Sequence, residues 1–535
     1  MLRIDQLRLT PDQNESVLVH KIAKLLRVSQ GDISRVEILR RAVDAREELL
    51  FVYTVAAEVK NEAQVLRRCR DKRVGRYTPE SYTLPAPREA SGVPPVVVGA
   101  GPAGLFAALV LAHAGLRPIL LERGQSTEQR TLDVERFWTD GTLDTESNVQ
   151  FGEGGAGAFS DGKLNTGTKD LRHRFILQQL VEHGAPQSIL IDAKPHVGTD
   201  YLHIVLKNLR HKLTQLDCDI RFGHRLEALH HDAGGLTGVT VRGGDGTYHL
   251  PCHRLVLALG HSARDTVEAL YGCGLHMEAK PFAVGVRIEH RQSAIDAVQY
   301  KKFAGHPALG AATYKLACHL PNGRSAFSFC VCPGGQVVAA ASETGRAVTN
   351  GMSEYARDKE NINGALLVNV TPADFPTEHP LAGIAFQRQL EEAAFTLGGS
   401  DYRAPCQRVE DFLLRRPSTH GGSVNPSYRP GVKWCDLHDC LPAFVSQTLE
   451  LALPELEKKL PGYAAPDAVL TAVESRSSAP VRIPRDETYQ ANIRGVYPCG
   501  EGAGYAGGIL SAAADGMRCA EHITGDLLIV KGKNK

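Results

Sequence analysis

A chain of 535 residues with net charge +1, 43% hydrophobic and 23% charged, has material for two or three globular domains. That charge balance creates no global field of the kind that draws nucleic acid or membrane surfaces. No long apolar run free of Gly and Pro suits a membrane span. The 12 cysteines lack paired CxxC spacing and the start, MLRIDQLRLTPDQ, has no apolar signal core. The expectation is therefore a cytoplasmic protein with reduced thiols and no bound metal.

Residues 1–90 read as a separate α+β unit. Leu2–Leu9 is strand-like, and Leu18, Ile22, Leu25 and Leu26 follow the spacing of an amphipathic helix. Strands are expected at Val36–Ala42 and Leu49–Ala56, a helix at Glu62–Arg70 and a last strand at Tyr77–Leu84. The order βαββαβ predicts a small ferredoxin-like sandwich. The basic run Arg67–Arg73 reads as a solvated helix end, with an acidic partner or RNA as the alternative. Pro85, Pro87, Gly92, Pro94 and Pro95 make a linker.

The next stretch, PVVVGAGPAGLFAALVLAHAGLRPILLERG, has the grammar of a dinucleotide site. Val96–Val98 is a buried strand, Gly99-Ala100-Gly101-Pro102-Ala103-Gly104 a G-x-G-x-x-G turn, Phe106–His113 a helix and Ile119–Leu121 a second strand. Gly99 permits the turn, Gly101 lets backbone approach a pyrophosphate, and Gly104 allows close helix–strand packing. The helix N-terminus offers free N–H groups to phosphate. Glu122, at the end of the second strand, accepts a ribose hydroxyl and disfavours a 2′-phosphate, so the nucleotide is FAD or NAD rather than NADP. Ser126 with Gln129 predicts a capped helix to about Trp138, carrying Arg130. Six glycines then fall between Gly152 and Gly167. A loop this poor in side chains brings backbone close to something flat or anionic, here a flavin and its pyrophosphate; a structural hinge is the alternative. Helices are predicted at Asp170–His183 and Thr199–Leu216. Short strands between Asp219 and Val241, punctuated by glycines, form a β-meander before Leu255–Leu259 and Gly260. Such an insertion distinguishes FAD-type from plain NAD folds. Residues 281–473 mix strands with helices at Pro380–Leu397 and Leu441–Leu460, a candidate substrate domain inserted in the nucleotide fold. The sheet resumes at Gly495–Gly504.

The motifs GAGPAG (Gly99–Gly104), FGEGGAGAFSDGKLNTG (Phe151–Gly167), FCVCPGG (Phe329–Gly335), ESRSSAPVRIPRD (Glu474–Asp486) and CGEGAGYAGGI (Cys499–Ile509) resemble the FAD-dependent oxidoreductase superfamily. Together they resemble its uncharacterised bacterial "FAD-dependent dehydrogenase" family, over nearly the whole chain. The resemblance implies an α/β fold: an FAD-binding Rossmann-like domain (91–280 and 474–535), an inserted α+β substrate domain (281–473) and the N-terminal ferredoxin-like domain. It implies bound FAD, held non-covalently since no attachment histidine is visible in the glycine loop. It places Glu122 and Arg123 at the adenine ribose, the backbone of Leu226 at the adenine edge, and Gly500-Glu501 at the ribityl chain and pyrophosphate. It aims the helix entering at Gly508-Ile509 toward the flavin, where its positive end would favour the reduced form. With Gly99, Gly101, Ala103, Gly104, Arg130, Gly154, Gly155, Ser160, Asp161, Gly162 and Gly260, these make up the expected cofactor-binding set. The family fixes no substrate.

A dedicated NAD(P)H domain of the disulfide-reductase kind is not evident, no C-x4-C pair follows the second strand, and the aromatic-hydroxylase fingerprint is not evident either. Lys163, just after the glycine loop, is a catalytic candidate that could balance negative charge on flavin, or serve only a structural carboxylate. Arg476 is the other candidate: with Arg482 it could share a strand face and clamp an acidic substrate, or join an interdomain salt-bridge network. Cys330 and Cys332 read as buried thiols rather than a reactive dithiol; Cys435, Cys440 and His438 hint only faintly at a metal, and His261 at a proton relay. The expected activity is hydride transfer between flavin and a small organic substrate, with an unidentified electron donor or acceptor. An NAD(P)H-dependent monooxygenase or reductase, and a redox-sensing or RNA-associated flavoprotein, are the alternatives.

Overall fold

The computed structural model describes residues 1–79, 81–87, 92–165 and 167–533; part of the expected 85–95 linker and Thr166 of the glycine loop lie outside these. Strands β1 (Leu2–Leu9), β2 (Ile33–Asp44), β3 (Leu50–Val59) and β4 (Val74–Arg76) form an antiparallel sheet in the order β2-β3-β1-β4, with helices α1 (Val17–Leu26) and α2 (Glu62–Arg68). This is the ferredoxin-like arrangement. The last strand comes earlier than expected: Val74–Arg76 pairs with Leu2–Ile4, and the described residues of the expected Tyr77–Leu84 strand form none.

The FAD-type core begins with β5 (Val96–Val98), α3 (Pro102–His113), β6 (Ile119–Glu122), α4 (Thr127–Asp140), α5 (Leu171–Glu182), α6 (Gly198–Gln215) and β7 (Asp219–Phe222). The meander β8 (Arg225–Asp232), β9 (Gly235–Gly243) and β10 (Gly246–Pro251) precedes β11 (Leu255–Leu257) and α7 (Arg264–Gly272). The parallel sheet is closed by the chain's last strand, β22 (Val496–Pro498), in the order β22-β11-β5-β6-β7. Its central strands are apolar on both faces, as a sheet covered by helices requires. Helix α12 (Ile509–Lys533) packs along α3.

The intervening segment adds β12 (Glu278–Ala279), β13 (Phe282–Arg291), α8 (Gln292–Tyr300), β14 (Ala317–His319), β15 (Ser325–Ala339), β16 (Thr349–Met352), β17 (Asn361–Val370), α9 (Ala382–Gly398), β18 (Ala404–Arg408), α10 (Val409–Leu413), β19 (Val432–Trp434), α11 (Ala443–Glu457), β20 (Val469–Glu474) and β21 (Val481–Arg482). Most of these strands form one sheet, β14-β15-β17-β13-β20-β18-β19, with β16 paired to β15. A second hydrophobic core lies between this sheet and α9 and α11. Among the described residues no helix is long and apolar enough to cross a membrane.

Candidate active site

A cleft of about 420 Å³ opens at the carboxyl ends of β5, β11 and β22, the usual ligand position in an open α/β sheet. One wall is backbone. Gly99 turns there at φ +98°, where a Cβ would stand 2.3 Å from the Ala258 carbonyl oxygen. Gly104, behind it, lies so close to the Gly99 carbonyl that a Cβ would sit 1.8 Å away, which is the close helix–strand packing its motif position requires. Helix α3 starts at Gly101 with no side-chain cap, and α12 starts at Ile509 on the same cleft. Two helix N-termini thus converge on one space, a favourable place for anionic groups.

Glu122 is buried at the cleft's edge. Its carboxylate accepts from the backbone N–H groups of Ala100 (2.7 Å), Gly124 (2.8 Å) and Gly152 (2.9 Å). It therefore ties together the first turn, its own strand end and the glycine loop. Arg123 stacks on Phe151, 4.0 Å from the ring centre, and pairs with Glu146 and Asp265. Leu226 lines the same end. At the other end Gly260 and Gly508 have nothing within 4 Å of where a Cβ would stand, so bare backbone faces the space.

Of the expected cofactor-binding residues, Gly99, Gly101, Ala103, Glu122, Arg123, Gly155, Ser160, Asp161, Gly162, Leu226, Gly260, Gly500, Glu501, Gly508 and Ile509 all line the cleft, as do Lys163 and Arg476. Three do not. Gly104 packs behind the turn. Gly154 sits against Leu206 of α6. Arg130 is fully buried and donates to the carbonyls of Asn148, Val149, Glu153 and Gly155, so it braces the loop because those carbonyls would otherwise be unsatisfied. The expected Ser126 cap is also replaced: Glu153 of the loop accepts from Thr127 N at 2.8 Å instead. Asp161 lines the cleft, but its carboxylate is taken by Arg357, Lys163 and Ser353.

The two catalytic candidates are likewise engaged. Lys163 Nζ lies 3.0 Å from Asp161 and donates to the Val331 carbonyl. Burial works against its ammonium, yet Cys332, Asp161 and Cys330 outweigh that and hold its pKa above the ordinary value. Arg476 grips Glu391 with both arms of its guanidinium, at 3.0 and 2.9 Å, while Arg264 grips the same carboxylate at 2.7 Å. Its fork is thus spent on the interdomain network and is not free to clamp a substrate. Arg482 does not share its face: it is exposed on β21 and stacks on Tyr505.

The wall opposite the glycines comes from the large sheet: Phe329 and Cys330 of β15, Asn350 of β16, and Glu474 at the end of β20. Glu474 is pushed up to about 7 by burial, although Arg287 at 3.1 Å partly offsets this. Glu501 is also pushed up by burial to about 7, opposed by Lys280. His261 is driven down to about 3 by burial together with Arg476 and Arg264, so it is a neutral hydrogen-bonding group rather than a cation. Glu474 and Cys330 were visible in the sequence, but nothing there put them opposite the glycine turn. A second, basic cleft lies on the N-terminal domain, lined by Arg8, Lys21, Lys24, Arg27, Arg68, Arg70 and Arg73.

Residues 281–477 match the family model described as FAD-dependent protein, C-terminal domain-like. Residues 93–145 match an FAD binding domain and residues 1–58 a domain of unknown function. An uncharacterized protein of Clostridium beijerinckii is 48% identical over 98% of both chains. Solved structures similar to the chain include the OxyS anhydrotetracycline hydroxylase of Streptomyces rimosus (16% identity, 81% of this chain, 62% of that one, TM-score 0.33). They also include the flavin-dependent brominase Bmp2 (12%, 81% and 79%, TM-score 0.38) and aklavinone-11 hydroxylase with FAD and aklavinone (15%, 82% and 64%, TM-score 0.33). The chain spans about 62% of the first hydroxylase's length. The chain belongs to the family of uncharacterised FAD-dependent proteins that the Clostridium relative represents. It is an FAD-dependent protein, and FAD is its cofactor.

The cleft fits that group. Backbone without side chains at Gly101, Gly155, Gly260 and Gly508 leaves room for a planar ring and a pyrophosphate, and two helix starts face it, that of α3 without a side-chain cap.

Proposed function

We propose that this protein is a dehydrogenase or reductase that exchanges a hydride between flavin and a small organic substrate bound against the large sheet. The observation that carries the reading is Glu474: a buried carboxyl on the cleft wall, pushed up to about 7, suited to exchanging a proton near neutrality, as hydride transfer to or from an alcohol or amine carbon requires. Flavin supplies the two-electron chemistry. Gly101, Ala103 and Gly155 would receive the pyrophosphate, Glu122 the ribose, the Leu226 backbone the adenine, and Gly500, Glu501, Gly508 and Ile509 the ribityl chain and ring. The charged wall suits a polar substrate, but with Arg476 engaged by Glu391, an acidic one would have to be held by other groups.

The test is anaerobic bleaching of the flavin by a panel of alcohols, amines and hydroxy acids, in the wild type and Glu474→Gln. Bleaching that slows at least tenfold in the variant supports the reading. A flavin reduced only by NAD(P)H, with oxygen then inserted into product, would replace it by the monooxygenase alternative. The basic cleft favours a second reading, an N-terminal docking module for RNA. Binding of single-stranded RNA by the full chain, lost on Arg27→Glu with Arg68→Glu and weakened steeply by salt, would support it; no binding at low salt would remove it.

A further inference from the structure

Strand β15 loses register with β17 between Phe329 and Cys332. At that break Cys330 takes φ +40°, a left-handed conformation uncommon for a residue with a side chain. In a regular strand two cysteines at i and i+2 are poorly placed to meet. Here the break changes both positions. Cys330 comes out on the FAD cleft beside Phe329, and Cys332 stays fully buried behind it.

The surroundings of the pair are polar and cationic. Arg287, fully buried on β13, donates to the Cys330 carbonyl at 3.0 Å and lies 3.7 Å from the Cys332 sulfur. Lys163 reaches over the turn to the carbonyl of Val331, the residue between them. The Cys332 thiol donates to the Cys330 carbonyl oxygen at 3.4 Å. The neighbouring Cys332 thiol, with Lys163 and Arg287, outweighs burial and pulls the Cys330 thiol below its ordinary value, while Cys332 is pushed upward. Elsewhere Cys218, Cys252, Cys406, Cys435 and Cys440 are all pushed upward by burial. An accessible, cation-flanked cysteine with a buried second cysteine behind it, turned onto its carbonyl, is the arrangement of an attacking and a resolving thiol.

We propose that Cys330 and Cys332 form a redox-active pair on the FAD cleft whose substrate is a small disulfide. The Cys330 thiolate attacks one sulfur of the substrate R–S–S–R. The Cys330–SR bond forms, the substrate S–S bond breaks, and RS⁻ leaves. The Cys332 sulfur then attacks Cys330, forming the intrachain disulfide and expelling the second RS⁻, which takes up the Cys332 proton as RSH. The pair loses two electrons and the substrate gains them. The return of two electrons from the reduced cofactor restores thiolate and thiol. This rests on the oxidoreductase reading above and names the class of acceptor that would drain the flavin.

The test uses the FAD-loaded full-length protein. At about pH 6, iodoacetamide should label Cys330 about tenfold or more faster than the other cysteines, because the thiolate is the reactive form. Incubation with hydroxyethyl disulfide should remove the mass of two hydrogens from the wild type and yield a peptide linked through Cys330 and Cys332. Cys332→Ser should instead trap one hydroxyethylthio adduct on Cys330, and Cys330→Ser should trap none. Labelling of Cys330 no faster than its neighbours, or stable adducts on the wild type without the intrachain link, would overturn the proposal. Flavin content and anaerobic bleaching by organic donors are read in parallel. If bleaching fails, the hydride-transfer reading falls; if bleaching persists while the thiols stay inert, only the disulfide proposal falls.

Discussion

At Gly101 a side chain has room in the fold, since an added Cβ would meet only the Gly155 Cα, at an ordinary 3.9 Å. At Gly104, three residues on, it would sit 1.8 Å from a backbone oxygen. The two glycines of one motif therefore separate folding from binding. Gly101→Val is expected to leave the apoprotein's melting temperature nearly unchanged while FAD retention falls at least tenfold. Gly104→Ala should destabilise the protein outright, by about 1–3 kcal/mol or more, as overpacking does. Thermal melts and the flavin released on denaturation check both; a Gly101→Val protein carrying a full complement of FAD would show that the pyrophosphate lies elsewhere. The sequence could support this argument because the glycine requirement is local: a turn, a helix start and an acid at a strand end are all read within one βαβ unit. Cys330 is the opposite case. Its exposure and its left-handed backbone arise where β15 slips against β17, and no pattern within FCVCPGG announces a slip set by the partner strand.

The elements are joined by charge as well as by apolar packing. Glu391 on α9 is fully buried and held between Arg264 of α7 and Arg476 of the segment after β20, so one carboxylate couples the nucleotide fold to the inserted domain. Arg476 could not be assigned from sequence because its partner lies 85 residues away, and an arginine fork looks the same whether it awaits a substrate or a glutamate. Burial opposes the Glu391 charge, but Arg264 and Arg476 outweigh it and hold its pKa below the ordinary carboxylate range. The stability this carboxylate contributes is therefore present above about pH 4.3, the unfolded value, and is lost as pH falls through the lower folded value. Glu391→Gln should cost about 3–5 kcal/mol at neutral pH, because two guanidiniums remain buried with less countercharge. Urea unfolding of the holoprotein measures it. A loss below about 1 kcal/mol would mean that Glu343, which also pairs with Arg264 at 2.7 Å, carries the junction alone.

Across the whole molecule the N-terminal sheet stands apart. Leu2, Ile4, Leu18, Ile22 and Val55 belong to a core of their own, and the attachment to the rest runs through a narrow strip. Arg41 exchanges backbone hydrogen bonds with the segment Ile191–Ala193 at 2.6 and 2.8 Å, and its guanidinium pairs with Asp192 at 2.9 Å. Arg41 and Asp192 are each about one-third exposed, 33% and 30%, and such a pair contributes only about 0–1 kcal/mol. The FAD cleft takes none of its lining from the described residues of 1–90. These two facts give one expectation: a chain lacking residues 1–76 but keeping Tyr82 and Leu84, which pack on the nucleotide core, should fold, bind FAD at full stoichiometry and keep the reactivity of Cys330. In the intact protein the N-terminal sheet should open on its own, its amides exchanging hydrogen while those of β5 and β11 stay protected. Hydrogen exchange followed by peptide mapping resolves the two populations, and flavin content of the shortened chain is read in the same preparation. Loss of FAD on truncation, or exchange of the N-terminal strands in step with β5, would mean that the sheet supports the nucleotide fold through contacts stronger than this strip. Retention would assign the N-terminal domain and its basic cleft to a task separate from cofactor binding.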